Sequence, residues 1–323
     1  MNTNHIIKSG ACSMVLGGNY YNGFFDEKPG KLLKISKAIG SHDERVHLAV
    51  VRTIRDWEQY YAIPDESSFK ILETHRFYPY LRTLARSEKA TFCYGPLEAC
   101  YVNFAGDKDL FETLEYMGRY YTSRVWTSAK TILEFAHTML HAISFLHDKK
   151  LCHLDIKPEN IMVKNVGSSG GRGGRYEFRL IDFGFCSREP FDDFVANIRG
   201  TPGYFPKQFA GIGDKNKHEP GLPAIDANDM IPVNGVIPMA ADHSLVYKID
   251  TYCFGRVLSS LYYTFVECVL DGADCGCFGI GSEAKNRRLI KKLLALMLDP
   301  DVHHRPTIGE IIQRSSPERK TVV

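Results

Sequence analysis

The sequence predicts an α+β protein with two lobes: a small β-rich lobe over residues 1–104 and a larger, mainly α-helical lobe over residues 105–323. Two observations support this division. Before about residue 105, short runs of β-branched and aromatic residues predominate. After Lys108, apolar residues recur at helical spacing. The boundary therefore falls close to residue 105.

The first lobe is predicted to contain several short strands and one helix. The helix covers residues 41–54, where Val46, Val50 and Ile54 form a stripe behind a Ser-His-Asp-Glu start that resembles a capping box. The strands are predicted at residues 6–7, 14–16, 31–35, 90–94 and 99–104.

The second lobe is predicted to be helical apart from one hairpin and two insertions. Helices are expected over residues 109–117, 127–147 and 286–298. The hairpin pairs residues 160–164 with residues 176–181. Segments 166–174 and 211–244 are rich in small and polar residues, and we interpret them as surface insertions.

Composition argues against nucleic acid and against a membrane span, and leaves open a peripheral membrane attachment through a partner. Of the 323 residues, 44% are hydrophobic, and the formal net charge is +2, so no strong field draws the chain to nucleic acid or an anionic membrane. The longest apolar stretch, residues 257–270, is too short to span a bilayer. We therefore expect no membrane span and no nucleic acid partner.

The cysteines favour a cytoplasmic or other intracellular reducing compartment. They number nine, an odd count, and lack a C-x-x-C pair. Cys275 and Cys277 suggest half of a metal site, but no second pair at ligand spacing accompanies them, so we prefer two free thiols.

The segment from His153 to Asn160, HLDIKPEN, carries the chemistry. The segment resembles the catalytic loop of protein kinases, H-R-D-x-K-x-x-N, with Leu154 in place of the arginine. The resemblance implies that Asp155 accepts the proton of a substrate alcohol, which is by itself a poor nucleophile. It also implies that Lys157 offsets charge on the transferring phosphoryl group and that Asn160 offers a neutral oxygen to Mg²⁺.

A second motif lies 27 residues after Asp155, where an apolar strand end leads into Asp182-Phe183-Gly184. This resembles the D-F-G motif of the same family, in which the aspartate binds Mg²⁺. The interval is longer than is usual in the family, and the 166–174 insertion accounts for the excess.

The resemblance also implies a nucleotide site in the first lobe. Lys34, at the end of an alternating strand, matches the lysine that pairs the α- and β-phosphates, and Glu44 matches its ion partner. Lys37 is a weaker alternative to Lys34. The loop over the phosphates keeps only one of three glycines, Gly10, with Ala11 beside it and Val15 over the adenine. The hinge that would bind the adenine edge comprises Asn103, Phe104 and Ala105.

Residues 200–207 resemble G-T-x-x-Y-x-A-P-E, which assigns Thr201 to the catalytic site and favours Ser/Thr over Tyr acceptors. Lys207 stands where the family has a glutamate that pairs with an arginine, here Arg305. Either the 211–244 insertion supplies a carboxylate or the segment packs differently. The candidate carboxylates are Glu219, Asp226 and Asp229.

Asp250 begins a segment that resembles D-x-W-S-F-G, whose aspartate supports the catalytic-loop backbone from a central helix.

The resemblance to protein kinases spans residues 6–312. It implies a Ser/Thr protein kinase that uses ATP with Mg²⁺, or alternatively Mn²⁺, and acts on protein substrates. A pseudokinase scaffold and a small-molecule kinase are the alternatives. The compact domain and long insertion resemble kinases of large DNA viruses, which implies virus-encoded action in a host cell. The oligomeric state is left open.

Overall fold

The computed structural model describes residues 6–9, 13–16, 31–37, 70–71, 97–103, 106, 108–120, 128–166, 176–191, 200–206, 242–267 and 280–315. The chain divides into two compact units, Met1–Ala105 and Gly106–Val323. Among the described residues, no helix combines the length and the hydropathy needed to cross a membrane.

The first unit contains an antiparallel sheet with strand order β1-β2-β3-β5-β4. Met14 pairs with Ile35, and both are fully buried. Side chains alternate between the two faces of a sheet, so the next pair along, Val15 and Lys34, lies on the opposite face. The strands are β1 Ile6–Ser9, β2 Ser13–Leu16, β3 Lys31–Lys37, β4 Lys70–Ile71 and β5 Leu97–Asn103.

Most strands of the first unit agree with the sequence-based prediction. The two-residue strand β4 was missed, because two residues show no periodicity. The predicted strand at residues 90–94 and the predicted helix at residues 41–54 lie outside the described residues.

The described part of the second unit contains two small sheets, ordered β6-β8-β9 and β10-β7. Strands β8 and β9 pair antiparallel, with Ile161 opposite Leu180, which confirms the predicted hairpin. The strands are β6 Lys108–Asp109, β7 Leu151–Cys152, β8 Ile161–Asn165, β9 Tyr176–Leu180 and β10 Ser187–Arg188.

Five α-helices are described in the second unit: α1 Leu110–Tyr120, α2 Ala129–Asp148, α3 Ser244–Tyr262, α4 Ile280–Met297 and α5 Ile308–Ser315. The three predicted helices are confirmed as α1, α2 and α4, although α4 begins six residues earlier than expected. Glu283 in this extra turn accepts a hydrogen bond from the Ala129 backbone at 2.7 Å and lies 3.8 Å from Arg287. A tertiary contact therefore extends the helix beyond its apolar repeat.

Helices α2 and α3 form the core of the second unit. Helix α2 buries the stripe that contains Ile132, Phe135, Met139 and Ile143, and its opposite face is exposed. Helix α3 is buried on nearly all sides and packs against α2, α4 and α5. Because α3 is packed on nearly all sides, it is a rigid support for the loops that lie on it.

Candidate active site

The loop after β7 places the carboxylate of Asp155 in contact with two side chains. Lys157 Nζ lies 3.0 Å from Asp155 Oδ2, and Thr201 Oγ1 donates a hydrogen bond to Asp155 Oδ1. Lys157 Nζ also donates to Thr201 Oγ1 at 2.8 Å. These three predicted residues therefore form a closed set of contacts. Asp155 is 9% exposed, so water screens the charges weakly.

Asn160 is oriented by the same carboxylate. A short 3₁₀ turn, Pro158–Asn160, brings its side chain back toward Asp155. Asn160 Nδ2 donates to the Asp155 carbonyl oxygen at 2.8 Å and to Asp155 Oδ2 at 2.9 Å. Because both amide hydrogens are used on Asp155, the group that Asn160 can offer to a cation is its neutral oxygen.

Asp182 follows Ile181, whose backbone N–H and carbonyl groups both hydrogen-bond to the loop that carries Asp155. Ile181 N donates to the Asn160 carbonyl oxygen at 2.9 Å, and His153 Nε2 donates to the Ile181 carbonyl oxygen at 2.9 Å. Asp182 itself is exposed and has φ 62° and ψ 76°. This left-handed conformation costs a non-glycine residue about 1 kcal/mol and is concentrated at functional sites.

His153 has a positioning role that sequence reasoning did not assign. Its ring is fully buried and packs on Phe183 with centroids 5.2 Å apart. Since Nε2 donates to a carbonyl oxygen, Nδ1 is the acceptor, and the Asp155 backbone N–H lies 3.3 Å from it. His153 thereby connects the two motifs that hold Asp155 and Asp182. The signal available in the sequence was its place two residues before Asp155.

Asp250 supports the backbone of the loop that carries Asp155, as predicted. Its Oδ1 accepts from Leu154 N at 2.8 Å and its Oδ2 from His153 N at 2.8 Å. His147 Nε2 is a second partner of Oδ2, at 3.1 Å, and sequence reasoning missed it. Asp250 is fully buried in α3. The loop is therefore fixed to the central helix through its own N–H groups.

Two predicted nucleotide-binding residues of the first unit are brought together. Val15 and Lys34 are cross-strand partners on β2 and β3, and both are half-buried. Asn103 ends β5 opposite Lys31. Five predicted residues lie outside the described part of the chain: Gly10, Ala11, Glu44, Phe104 and Ala105.

Arg305 is fully buried, and its guanidinium group is only partly hydrogen-bonded. Nη2 donates to the Asp299 carbonyl oxygen at 2.7 Å, and the group lies 4.7 Å from the centroid of the Tyr252 ring. Within the described residues, Nε and Nη1 have no hydrogen-bond partner. Burial lowers the pKa of Arg305. Lys207 and the three candidate carboxylates lie outside the described residues, so the expected loss of an ion pair stays a prediction.

Three cysteines near the site, Cys152, Cys186 and Cys253, are buried and not disulfide-bonded. Burial raises the pKa of each thiol well above its usual value, and the negative charge of Asp250 adds to the effect. All three are therefore neutral thiols near pH 7. Cys275 and Cys277 lie outside the described residues.

Comparisons with known proteins agree with this geometry. Residues 99–220 match the protein kinase domain. The solved structure "ROP18 kinase domain in complex with AMP-PNP and sucrose" aligns over 95% of this chain and 76% of that chain, with a TM-score of 0.52 and 13% identity. The chain has the protein kinase fold. The predicted fold class is thus confirmed.

Sequence relatives of this kinase fold are distant and partial. The gamma catalytic chain of phosphorylase b kinase, liver/testis isoform, from Bos taurus is 37% identical over 86 residues, which are 26% of this chain and 19% of that protein. Serine/threonine-protein kinase ULK3 from Xenopus laevis is 30% identical over 108 residues, 32% and 22% of the two chains. The match thus spans only about a fifth of each relative. These relatives do not support the resemblance to viral kinases.

Proposed function

We propose that the chain is a serine/threonine protein kinase that transfers the γ-phosphoryl group of ATP to hydroxyls of another protein. The observation that carries this proposal is the contact set of Asp155, Lys157 and Thr201. A carboxylate, an ammonium group and a hydroxyl meet there in a poorly hydrated place. These are the groups that phosphoryl transfer to an alcohol requires from a protein.

Each residue has a defined task in this proposal. Asp155 accepts the proton of the acceptor hydroxyl as the new bond between that oxygen and the γ-phosphorus forms. The bond between the γ-phosphorus and the oxygen bridging to the β-phosphate breaks, and ADP leaves. Lys157 offsets the negative charge on the transferring group. Thr201 holds Asp155 and Lys157 in register through its hydroxyl.

The donor set suits a magnesium ion. The Asn160 amide nitrogen makes two hydrogen bonds to Asp155, so the amide oxygen is the atom that can bind a cation. Asp182 adds an exposed carboxylate directly after Ile181, which is bonded to Asn160. Mg²⁺ prefers oxygen ligands of these kinds, and Mn²⁺ accepts the same set. When bound, the ion would neutralise phosphate charge.

The paired residues Val15 and Lys34 support a nucleotide site in the first unit. An apolar side chain beside a lysine on one face of a sheet can contact a base and a phosphate, respectively. The solved kinase domain that shares the fold is described in complex with AMP-PNP, a nucleotide. The roles of Gly10, Ala11, Glu44 and the hinge residues Asn103, Phe104 and Ala105 stay predictions.

A pseudokinase scaffold that binds nucleotide without transferring phosphate is the second candidate. Two features of the segment after Thr201 and its expected partner favour it. Lys207 stands in place of a glutamate. Among the described residues, Arg305 Nε and Nη1 have no hydrogen-bond partner. The first candidate, the active kinase, also includes the proposals that the substrates are proteins and that the chain works in an intracellular reducing compartment. The buried free thiols agree with that compartment but do not require it.

Transfer of radiolabelled phosphate from Mg-ATP to casein or myelin basic protein tests the proposal. We expect wild-type protein to label the substrate and Asp155→Asn to be slower by at least about 100-fold, the lower range of proton-transfer catalysis. Asp148→Asn, an exposed carboxylate on α2, is the matched control and should retain full activity.

The two candidates separate in the same experiment. Labelling by wild type that Asp155→Asn leaves unchanged would contradict the assigned base. Nucleotide binding without any transfer, in wild type and variant alike, would favour the scaffold.

A further inference from the structure

Two histidines lie one turn apart on the exposed face of α2, away from the candidate active-site residues. His137 and His141 are both exposed, and their Nε2 atoms are 3.2 Å apart. Their ring centroids are 4.4 Å apart. The opposite face of the same helix is buried in the core, so the backbone that carries both rings is held in place.

The separation of the two nitrogens suits a shared metal ion. With zinc–nitrogen bonds of about 2.0–2.1 Å, two nitrogens 3.2 Å apart subtend an angle of about 100° at the metal, near the tetrahedral value. The rings already direct these nitrogens toward one another. Binding an ion requires the proton between the two Nε2 atoms to leave and each ring to tilt so that its lone pair faces the ion. The helix backbone that carries the rings stays in place, and preorganisation of this kind favours binding.

We propose that His137 and His141 form a binding site for a divalent transition-metal ion of the zinc, copper or nickel class. Imidazole nitrogen suits these metals, whereas magnesium prefers oxygen ligands. Pairs of histidines spaced i, i+4 on one helix face use the same geometry in zinc enzymes. Water would complete the coordination, since the site is open to solvent.

Glu134 is the available third ligand from the chain. It precedes His137 by three residues and so lies on the same face of α2. Its carboxylate is exposed and lies 3.8 Å from Lys130 Nζ. An exposed pair at that separation contributes little, so a rotation of Glu134 toward the histidines costs little.

Another group of possible ligands in the described residues, His147, Cys152 and Asp250, is a weaker candidate. Their ligand atoms lie within 4.8 Å of one another. However, both Asp250 oxygens already accept hydrogen bonds from Leu154, His153 and His147, and burial keeps the Cys152 thiol protonated through its raised pKa. Hydrogen bonding accounts for that cluster, whereas among the described residues the surface pair has one mutual contact, and both rings are exposed.

Titration calorimetry of the full, untagged chain with ZnCl₂ tests the proposal. We expect one binding event. His137→Ala and His141→Ala should each lower the zinc affinity at least about tenfold, because removing a group that only hydrogen-bonds to a metal ligand already lowers affinity by that much. The double variant should be no weaker than either single variant, because one remaining imidazole cannot chelate. MgCl₂ should give no such event.

His304→Ala is the matched control: His304 is an exposed histidine in a turn outside the helices, and its ring lies 3.5 Å from Asp301 rather than against another imidazole. It should bind zinc as wild type does. Electron paramagnetic resonance with Cu²⁺ gives an independent readout, with coupling to two imidazole nitrogens in wild type that is lost in both single variants. Wild-type zinc affinity in His137→Ala and His141→Ala, or an equal loss in His304→Ala, would overturn the proposal.

Discussion

Removing the Asp250 carboxylate should loosen the loop that carries Asp155. In Asp250→Ala, the backbone N–H groups of His153 and Leu154 lose their acceptor in a fully buried place. Asp250→Asn keeps one acceptor oxygen but turns an NH₂ group toward one of these donors. We therefore expect both variants to be destabilised, and alanine more than asparagine.

The contacts set the size of the effect. A buried donor left without a partner costs about 1–3 kcal/mol. Two such donors, together with the bond from His147, give about 3–9 kcal/mol for Asp250→Ala. Domains of this kind are stable by only about 5–15 kcal/mol, so the variant should lose a large part of its stability.

Urea unfolding followed by circular dichroism measures the change in free energy, and hydrogen exchange shows where it arises. The amides of His153 and Leu154 should lose protection first. Asp148→Ala, an exposed carboxylate at the end of α2, serves as the control and should unfold as wild type does. A change below about 1 kcal/mol in Asp250→Ala, with both amides still protected, would refute the argument, because each bond alone should contribute that much.

Three further substitutions test other contacts. Thr201→Val removes the hydroxyl between Asp155 and Lys157 and should lower kcat about 10- to 100-fold in the labelling assay. Thr201→Ser keeps a hydroxyl and should retain the wild-type kcat. Equal rates for the valine and serine variants would contradict this role of the hydroxyl. Gly200→Ala should cost about 1–3 kcal/mol in urea unfolding because a Cβ there would clash with the Phe205 ring. Gly309→Ala, whose Cβ would have nothing within 4 Å, should cost nothing, and similar values for the two variants would contradict the packing argument. Arg305→Met should be neutral or stabilising in the same assay, and a loss above about 3 kcal/mol would show that the guanidinium has a carboxylate partner.

The sequence predicted those elements and residues that are marked by a pattern within one short stretch of the chain. The apolar repeats of α1 and α2, the hairpin of β8 and β9, and the motifs around Asp155 and Asp182 each lie within a short stretch. Such patterns state which face is buried or which loop carries a charge. The placement of Thr201 against Asp155, by contrast, came from family resemblance, because no local pattern relates residues 46 positions apart.

Contacts that span the chain without a motif were missed. His147 bonds to Asp250 across 103 positions, and a histidine at the end of an amphipathic helix gives no indication of such a partner. The first turn of α4 was missed for a similar reason, since Glu283 is fixed by the backbone of Ala129 rather than by an apolar repeat. Tertiary hydrogen bonds of this kind override local preference.

Asp250 and Arg305 are both buried charges that the resemblance singled out, yet only the first could be assigned completely. The partners of Asp250 include two N–H groups, which every non-proline residue carries, so its support survives side-chain changes in the loop, such as Leu154 in place of arginine. Arg305 needs a carboxylate, which one substitution removes, and Lys207 stands at the expected position. Lys207→Glu should therefore stabilise the protein if Arg305 is uncompensated and change little if Glu219, Asp226 or Asp229 already serves. Measured beside Arg305→Met and in the double variant, this change identifies which arrangement the chain has adopted.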